Sequence, residues 1–340
     1  MGFIARLTFT GMPTYLPQLD VTKVIMAVIV VAIHTQPQSL LGESLVADIC
    51  QSLYEIPVPF FFAVSGFLLW RKMGGFVRND RLIRIENWIL HSLRLYFLWT
   101  IIYLPYTIYG FVHDGLQLHE ALMVFARNVL LVGENYCSWP LWYLLGMVSA
   151  GCVIYGIVKV GLGVKSILLV AVVLLCLGEL LDSLCQREQM PAVVSLYYKV
   201  FKSTRNGFFL GLPYIAVGVC IAEFGIVRSR GILTALFTSF LCLFLKYGGR
   251  FFLLLLLVCF GLQLLLGLVW RTTAHGRITV CRKVSNIIYF THMIWVGLMM
   301  TVFPVDNSLL RFSLSVLMTL VTSFFLIGKH EGKVFNKLFS

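Results

Sequence analysis

Long apolar stretches alternate with short polar ones along this chain, and the apolar stretches are close to the length that a bilayer requires. Ten such segments can be counted, at 19–36, 54–71, 88–111, 138–158, 165–182, 206–224, 231–247, 250–270, 284–303 and 308–328. A segment surrounded by lipid satisfies its own backbone groups as a helix. The pattern therefore predicts an all-α, polytopic integral membrane helix bundle of about ten transmembrane helices.

Composition excludes an ordinary soluble protein, because 59% of the residues are hydrophobic and only 12% are charged. The net charge of +12 is a topology signal in such a chain and not a sign of nucleic-acid binding. Lysine and arginine are concentrated in the segments that are internal if the N-terminus is internal, which predicts cytoplasmic termini. We expect residues 1–340 to form a single, stand-alone membrane domain that keeps its start, without a removable signal peptide.

The nine cysteines fall mostly inside apolar segments, where cysteine behaves as a small hydrophobic residue. Cys50, Cys137 and Cys185 lie in or near predicted outer loops, so a disulfide among them stays open. No cysteine or histidine spacing typical of a metal site is present in the sequence, and no metal ligand is predicted.

The first apolar segment carries two basic side chains, Lys23 and His34, eleven positions apart. On an α-helix this spacing places both on one face, roughly 16 Å apart along the axis. Asp20 lies near that face, and the small residues between, such as Ala27 and Val31, could leave a groove. Charged groups at membrane depth are costly and usually functional. The alternative is that Lys23 reaches water at the helix end and His34 lies at the opposite interface.

The second segment begins with Pro57 and Pro59 and contains Ser65 and Gly66 in its middle. This pattern predicts an irregular span that packs closely against protein. Backbone amides near Ser65 and Gly66 are candidate donors to an oxyanion. A regular helix that starts at proline and carries a small-residue packing notch is the alternative.

A dense basic cluster comes next, in which Arg81 and Arg84 are three positions apart and share a face if the segment is helical. Arginine pairs phosphates at two points and stays charged, so this pair suits a nucleotide-bearing cytoplasmic ligand. Anchoring to anionic lipid head groups explains the same cluster without a ligand.

Taken in order, these three pieces resemble membrane acyltransferase family 3, which includes O-acetyltransferases of bacterial surface polysaccharides. The resemblance rests on the basic residue eleven positions before His34, on the PVPFFFAVSG stretch, and on the Arg81-x-x-Arg84 loop. The stretch around Trp142 is similar to a middle-helix entry in the family, or else an aromatic belt at the interface. His292 matches a penultimate-helix histidine of many members, or else is a satisfied buried histidine. Lys23 departs from the arginine of many members.

The resemblance implies an acyltransferase that moves an acyl group, expected to be acetyl, from cytoplasmic acyl-CoA to a hydroxyl of a cell-surface or lipid-linked glycan. His34 is then the catalytic base, and acyl-CoA is bound by Asp20, Lys23, Arg81 and Arg84. Accessory roles fall to His292, Ser65, Gly66 and Trp142. No bound cofactor is expected; the partners are acyl-CoA, the glycan acceptor and the lipid bilayer, without nucleic acid. The expected location is the bacterial cytoplasmic membrane.

A secondary transporter or flippase is the rival hypothesis, since charged residues within spans also line substrate or proton pathways. No convincing internal repeat relates the two halves of the sequence. The dense basic loop after the second segment has no special use in a transporter.

Overall fold

The computed structural model describes residues 6–7, 16–227, 229–247, 251–268, 275–328 and 338–339. Its described part is almost entirely helical. The α-helices, numbered in chain order, are α1 Pro17–Thr35, α2 Leu45–Leu53, α3 Pro57–Trp70, α4 Arg78–Ile102, α5 Leu104–His113, α6 Leu118–Arg127, α7 Trp142–Lys159, α8 Val164–Cys185, α9 Ala192–Phe201, α10 Leu212–Phe224, α11 Arg230–Tyr247, α12 Phe251–Gly267, α13 His275–Thr301 and α14 Ser308–Gly328. Two short strands, β1 Arg6–Leu7 and β2 Ile226–Val227, pair antiparallel.

Seven helices or joined helices in the described ranges are long and apolar enough to cross a membrane. An eighth crossing is added if α4 and α5 form one span. The protein is therefore a multi-pass membrane helix bundle. The ten spans and the cytoplasmic termini stay predictions: α11 and α12 are shorter apolar helices, and several charges behind the topology lie outside the described residues, among them Arg228, Arg271 and Lys333.

The segment predicted as one helix at 88–111 is bent instead. Helix α4 ends at Ile102 and α5 begins at Leu104, with an angle of 51° between them. Pro105 is the second residue of α5, and a proline ring clashes with the carbonyl of the preceding turn while removing a backbone donor. The bend therefore results from one proline in the middle of a span.

The prediction of an irregular second span is wrong, because Pro57–Trp70 is one uninterrupted helix. Both prolines lie in the first turn, where a backbone N–H has no partner within the helix anyway. The predicted close packing is present. A Cβ on Gly66 would overlap the carbonyl oxygen of Ile215, and a Cβ on Gly218 would overlap that of Ala63.

The chain divides into two compact units by its contacts. The terminal unit consists of Met1–Phe61 and Phe224–Ser340, and the central unit is Phe62–Glu223. In the terminal unit α1 packs against α13 and α14, and α11 packs against α12. In the central unit α4 packs against α7, and α7 and α8 pack against a π-helical turn at Gly207–Gly211.

All nine cysteines lie within the described residues and are free thiols. Cys137 is fully buried, whereas Cys50 and Cys185 are half-buried. The disulfide that the sequence left open is thus not formed.

Candidate functional site

In the terminal unit, Lys23 and His34 both lie on the side of α1 that packs against α13. The hydroxyl of Ser285 on α13 donates to the carbonyl oxygen of Lys23 at 3.1 Å. Near the other end of α1, the His34 ring lies 5.4 Å from the His292 ring between centroids, with the planes tilted by 30°. This arrangement agrees with the shared face that the spacing predicts.

The face of α1 between Lys23 and His34 is closed, contrary to the expected groove. Ala27 and Val31 are fully buried and form a cluster with Ile288 of α13. A ligand therefore cannot run along this face from one basic residue to the other.

Asp20 pairs with Arg282, a residue of α13 that lies 262 positions away in the sequence. The guanidinium of Arg282 donates from Nε to Asp20 Oδ1 at 3.2 Å and from Nη2 to Oδ2 at 3.1 Å. Asp20 is buried, with 2% of its surface exposed, whereas Arg282 is more than half exposed. A fork-to-carboxylate pair of this kind is both strong and directional. Asp20 is therefore held by α13, and its contact with acyl-CoA stays a prediction.

Helices α1 and α13 run parallel. Contacts proceed in the same direction along both, from Asp20 with Arg282 to His34 with His292. The ion pair and the histidine pair therefore lie toward opposite ends of the same two helices. With α1 as a transmembrane helix, they lie toward opposite faces of the membrane.

His292 is fully buried, with 0% of its surface exposed. Its Nδ1 lies 2.9 Å from the carbonyl oxygen of Ile288. Among the described residues, its Nε2 has no hydrogen-bond partner. Leaving a buried acceptor unsatisfied costs about 1–3 kcal/mol, so such an atom calls for an explanation. The alternative of a fully satisfied core histidine does not hold for His292.

The central unit contains a cavity of ≈ 700 Å³ at the junction of α3 and α4. It is lined by Ser65, Leu68, Leu69, Lys72, Phe76, Asp80, Ile83, Arg84, Asn87, Trp88 and His91. Two fixed cations, Lys72 and Arg84, outnumber the one carboxylate, Asp80. The cavity thus offers a basic, partly apolar surface that suits an anionic ligand with a long organic portion.

Arg84 and Arg81 have different surroundings although they share one side of α4. Arg84 lines the cavity. Arg81 donates from Nε to the carbonyl oxygen of Phe76 at 3.1 Å, and its guanidinium lies 5.6 Å from the centroid of the Trp70 ring. A cation over an indole face stabilises the loop that precedes α4. Arg84 is therefore the better placed of the two for a ligand in the cavity.

Ser65 and Gly66 were candidates for two roles, donation to an oxyanion and close helix packing, and they differ in their surroundings. Gly66 is a packing position against Ile215, and its amide lies in the middle of α3, where helical carbonyls accept the backbone donors. Backbone amides at these positions are thus not available to an oxyanion. The Ser65 side chain instead lines the cavity and shares a hydrogen bond of 2.9 Å with the Tyr143 hydroxyl.

Trp142 is the first residue of α7, directly after a 3₁₀ turn at Trp139–Leu141. Its ring centroid lies 5.9 Å from that of Phe62, and it lines a second, smaller cavity of ≈ 220 Å³ in the central unit. Trp142 therefore both begins a predicted span and contacts residues in the interior of the central unit.

The residues that sequence reasoning missed are Arg282, Lys72, His91 and Tyr143. A signal for Arg282 was present, because Arg282, Ser285, Ile288 and His292 recur at the three- and four-residue spacing of one helix face. Within the described residues no group of three or more histidine, cysteine, aspartate or glutamate side chains could hold a metal ion.

The fold and these sites define a multi-pass membrane protein with buried polar groups between its helices. The sequence pattern of a family described as an acyltransferase domain matches residues 16–328, nearly the whole chain. The chain therefore belongs to membrane acyltransferase family 3, as the order of its motifs predicts.

Two curated relatives are similar over part of their length. A serine/alanine racemase of Enterococcus gallinarum is 28% identical over 222 residues, which is 64% of this chain and 31% of the relative. An amino-acid racemase of Enterococcus faecalis is 24% identical over 216 residues, which is 60% of this chain and 28% of the relative. The match thus spans about a third of the curated relatives. No solved structure matches significantly.

Proposed function

We propose that this protein is an O-acyltransferase that moves an acyl group, with acetyl as the expected group, from acyl-CoA to a glycan hydroxyl. The observation that carries the proposal is the acyltransferase family match over residues 16–328. The relatives' names describe racemases and supply neither donor nor acceptor. The proposal therefore rests on the family and on the chemistry of the site residues.

Donor binding is assigned first to the cavity of the central unit. Arg84 and Lys72 supply positive charge for the phosphates of coenzyme A, and Trp88 and Leu68 supply apolar surface for its organic portion. Arg81 supports this site through the loop that it braces. Lys23, half-buried near the start of α1, is proposed to bind acyl-CoA on the strength of the family resemblance, with Asp20 holding the helix that carries it.

His34 is proposed as the general base. Its neutral imidazole takes the proton of the acceptor hydroxyl while the hydroxyl oxygen attacks the thioester carbonyl. The carbon–sulfur bond then breaks, and the imidazolium returns the proton to the sulfur, which gives the ester and free coenzyme A thiol. The base must be reachable, and His34 is partly exposed whereas His292 is fully buried.

The acceptor is proposed to be a cell-surface or lipid-linked glycan. The protein is proposed to lie in the bacterial cytoplasmic membrane, with ten spans and both termini inside. The position of His34 supports this orientation. With the start of α1 at the inner face, the penultimate position of His34 in α1 lies toward the outer face, where exported glycans are met.

The test is acetyl-CoA binding and coenzyme A thiol release by the purified protein in detergent, with membrane glycolipid extract as the source of acceptor. Arg84→Gln should weaken binding about 10-fold or more, because a charge-assisted bond to phosphate is lost. His34→Ala should bind as the wild type does and release thiol about 100-fold more slowly or worse. Arg187→Gln is the matched control, because Arg187 is exposed between α8 and α9 and is not among the residues that line the cavity.

Absence of acetyl-CoA binding by folded wild-type protein would overturn the proposal. The rival function, a secondary transporter or flippase, predicts that result together with substrate movement across vesicles that carry the protein. Equal binding by Arg84→Gln and the wild type would remove the cavity from donor recognition while leaving the family assignment intact.

A further inference from the structure

The hydrogen-bond pattern of His292 fixes which of its ring nitrogens carries the hydrogen. A carbonyl oxygen only accepts, so the contact of 2.9 Å with Ile288 requires the hydrogen on Nδ1. In the neutral ring Nε2 then holds a lone pair. This lone pair belongs to a fully buried side chain, and no hydrogen-bond partner reaches it within the part of the chain that the structure describes.

The His34 ring is a polar neighbour of His292, and its distance fits a hydrogen bond between the two rings. Two histidine rings joined by a hydrogen bond between ring nitrogens have centroids roughly 5 Å apart. The observed separation of 5.4 Å with a tilt of 30° is close to that arrangement. A small rotation of the partly exposed His34 ring would bring an N–H of His34 toward Nε2 of His292.

We propose that His292 is a positioning residue for His34, with its Nε2 accepting a hydrogen bond from the His34 N–H as His34 becomes protonated. This inference rests on the proposed function. The proton leaves the acceptor hydroxyl for one nitrogen of His34, and the other nitrogen keeps its hydrogen and donates it to His292. His292 stays neutral throughout, and the proton later passes from His34 to the coenzyme A sulfur.

The arrangement favours the reaction because positive charge develops on His34 as the hydroxyl is deprotonated. A hydrogen bond from a charged donor is about twice as strong as one between neutral groups. The contact therefore stabilises the transition state more than the resting state. His292 itself is too deeply buried to reach a substrate.

Two substitutions separate this role from simple packing. The side-chain oxygen of His292→Gln can stand near the position of Nε2 and accept a hydrogen bond from His34. His292→Asn is shorter, so its amide can donate to Ile288 as Nδ1 does but leaves no acceptor at the position of Nε2. Both variants remove the aromatic ring, so a packing role affects them alike.

The expected result is a difference in kcat without a difference in KM for acetyl-CoA. His292→Gln should keep kcat within about 10-fold of the wild type, and His292→Asn should lose about 100-fold. The control is Thr291→Val, since Thr291 is buried on the same helix and its hydroxyl donates only to Ile287. Thermal unfolding in detergent shows whether each variant folds.

Equal losses in the Gln and Asn variants, or two variants as active as the wild type, would overturn the inference. Either result leaves the proposed function standing as long as the wild type transfers acetyl groups. If the wild type is inactive and fails to bind acetyl-CoA, the proposed function fails, and the inference fails with it.

Discussion

Arg282 donates two hydrogen bonds to Asp20, of 3.1 and 3.2 Å, and so links α13 to α1 although the two residues are 262 positions apart in the sequence. The bond is directional, because the planar guanidinium meets both carboxylate oxygens. It therefore fixes how far along α1 the residues of α13 lie. Because His34 and His292 are on the same two helices, the pair also fixes where their rings meet.

Loss of this ion pair should reduce stability. Asp20→Asn leaves Arg282 facing a neutral amide and should lower the free energy of unfolding by about 1–3 kcal/mol. The upper range for buried pairs does not apply, since Arg282 is more than half exposed. Arg282→Lys keeps the charge without the fork and should cost less. Thermal unfolding of the purified protein in detergent measures both.

The control for the ion pair is Asp114→Asn, because Asp114 is exposed and its neighbour His113 is exposed as well. This variant should unfold at the wild-type temperature. An Asp20→Asn protein as stable as the wild type would show that the α1–α13 contact is held by its apolar cluster alone.

Gly218 should not tolerate a side chain. A Cβ at this position would overlap the backbone of Ala63, so Gly218→Ala must push α10 away from α3 and should cost about 1–3 kcal/mol or more. Gly156→Ala is the matched control, because Gly156 lies in a helix with open space around its Cβ position. That substitution should be neutral or slightly stabilising. Similar unfolding temperatures for the two variants would contradict the close packing.

Asp80 should weaken the binding of an anionic donor. It brings a negative charge to the cavity that Lys72 and Arg84 make basic, so Asp80→Asn should raise acetyl-CoA affinity about threefold at low salt. The gain should shrink as salt is added. Glu188→Gln, an exposed change in the segment between α8 and α9, should have no effect. Weaker binding by Asp80→Asn would mean that the carboxylate orients Arg84, four positions along α4.

Glu134 should contribute more to the stability of the folded protein in mild acid than at neutral pH. Burial raises the pKa of this carboxyl, and Lys202 and Arg205 offset only part of the rise. The folded protein therefore binds the proton more firmly than the unfolded chain, and this contribution is lost as the pH rises through the folded-state pKa. Glu134→Gln should be more stable than the wild type at neutral pH and equal to it in acid. Unfolding curves across pH measure this, with Glu188→Gln as the exposed control.

Features that depend on a fixed helical period can be predicted from the sequence. The eleven-residue interval between Lys23 and His34 determines their shared face, because an α-helix turns by the same angle at every residue. The bend at Pro105 and the regular start of α3 depend on where a proline falls relative to a helix end. Where a helix ends is set by packing as well as by sequence. The spacing of apolar residues therefore did not show which proline bends a span and which one starts a regular helix.

The partners of the site residues could not be predicted in the same way. Asp20 has Lys23 three positions away, and local spacing favours that pairing. Arg282 binds Asp20 because α13 packs against α1, which is a long-range contact without a local signature. The packing of Ile288 against α1 could not be predicted for the same reason. Small residues on α1 can leave an open groove or allow a side chain of another helix to pack there, and local sequence does not decide between the two.

The long sequence separation between α1 and α13 also affects the order in which the protein assembles during synthesis. A ribosome adds about 10 residues per second, so the 262 positions between Asp20 and Arg282 correspond to roughly half a minute of synthesis. During that interval α1 has been made, but Arg282, the partner of its Asp20 carboxylate, has not yet been synthesised. The ion pair that joins α1 to α13 can therefore form only late in synthesis.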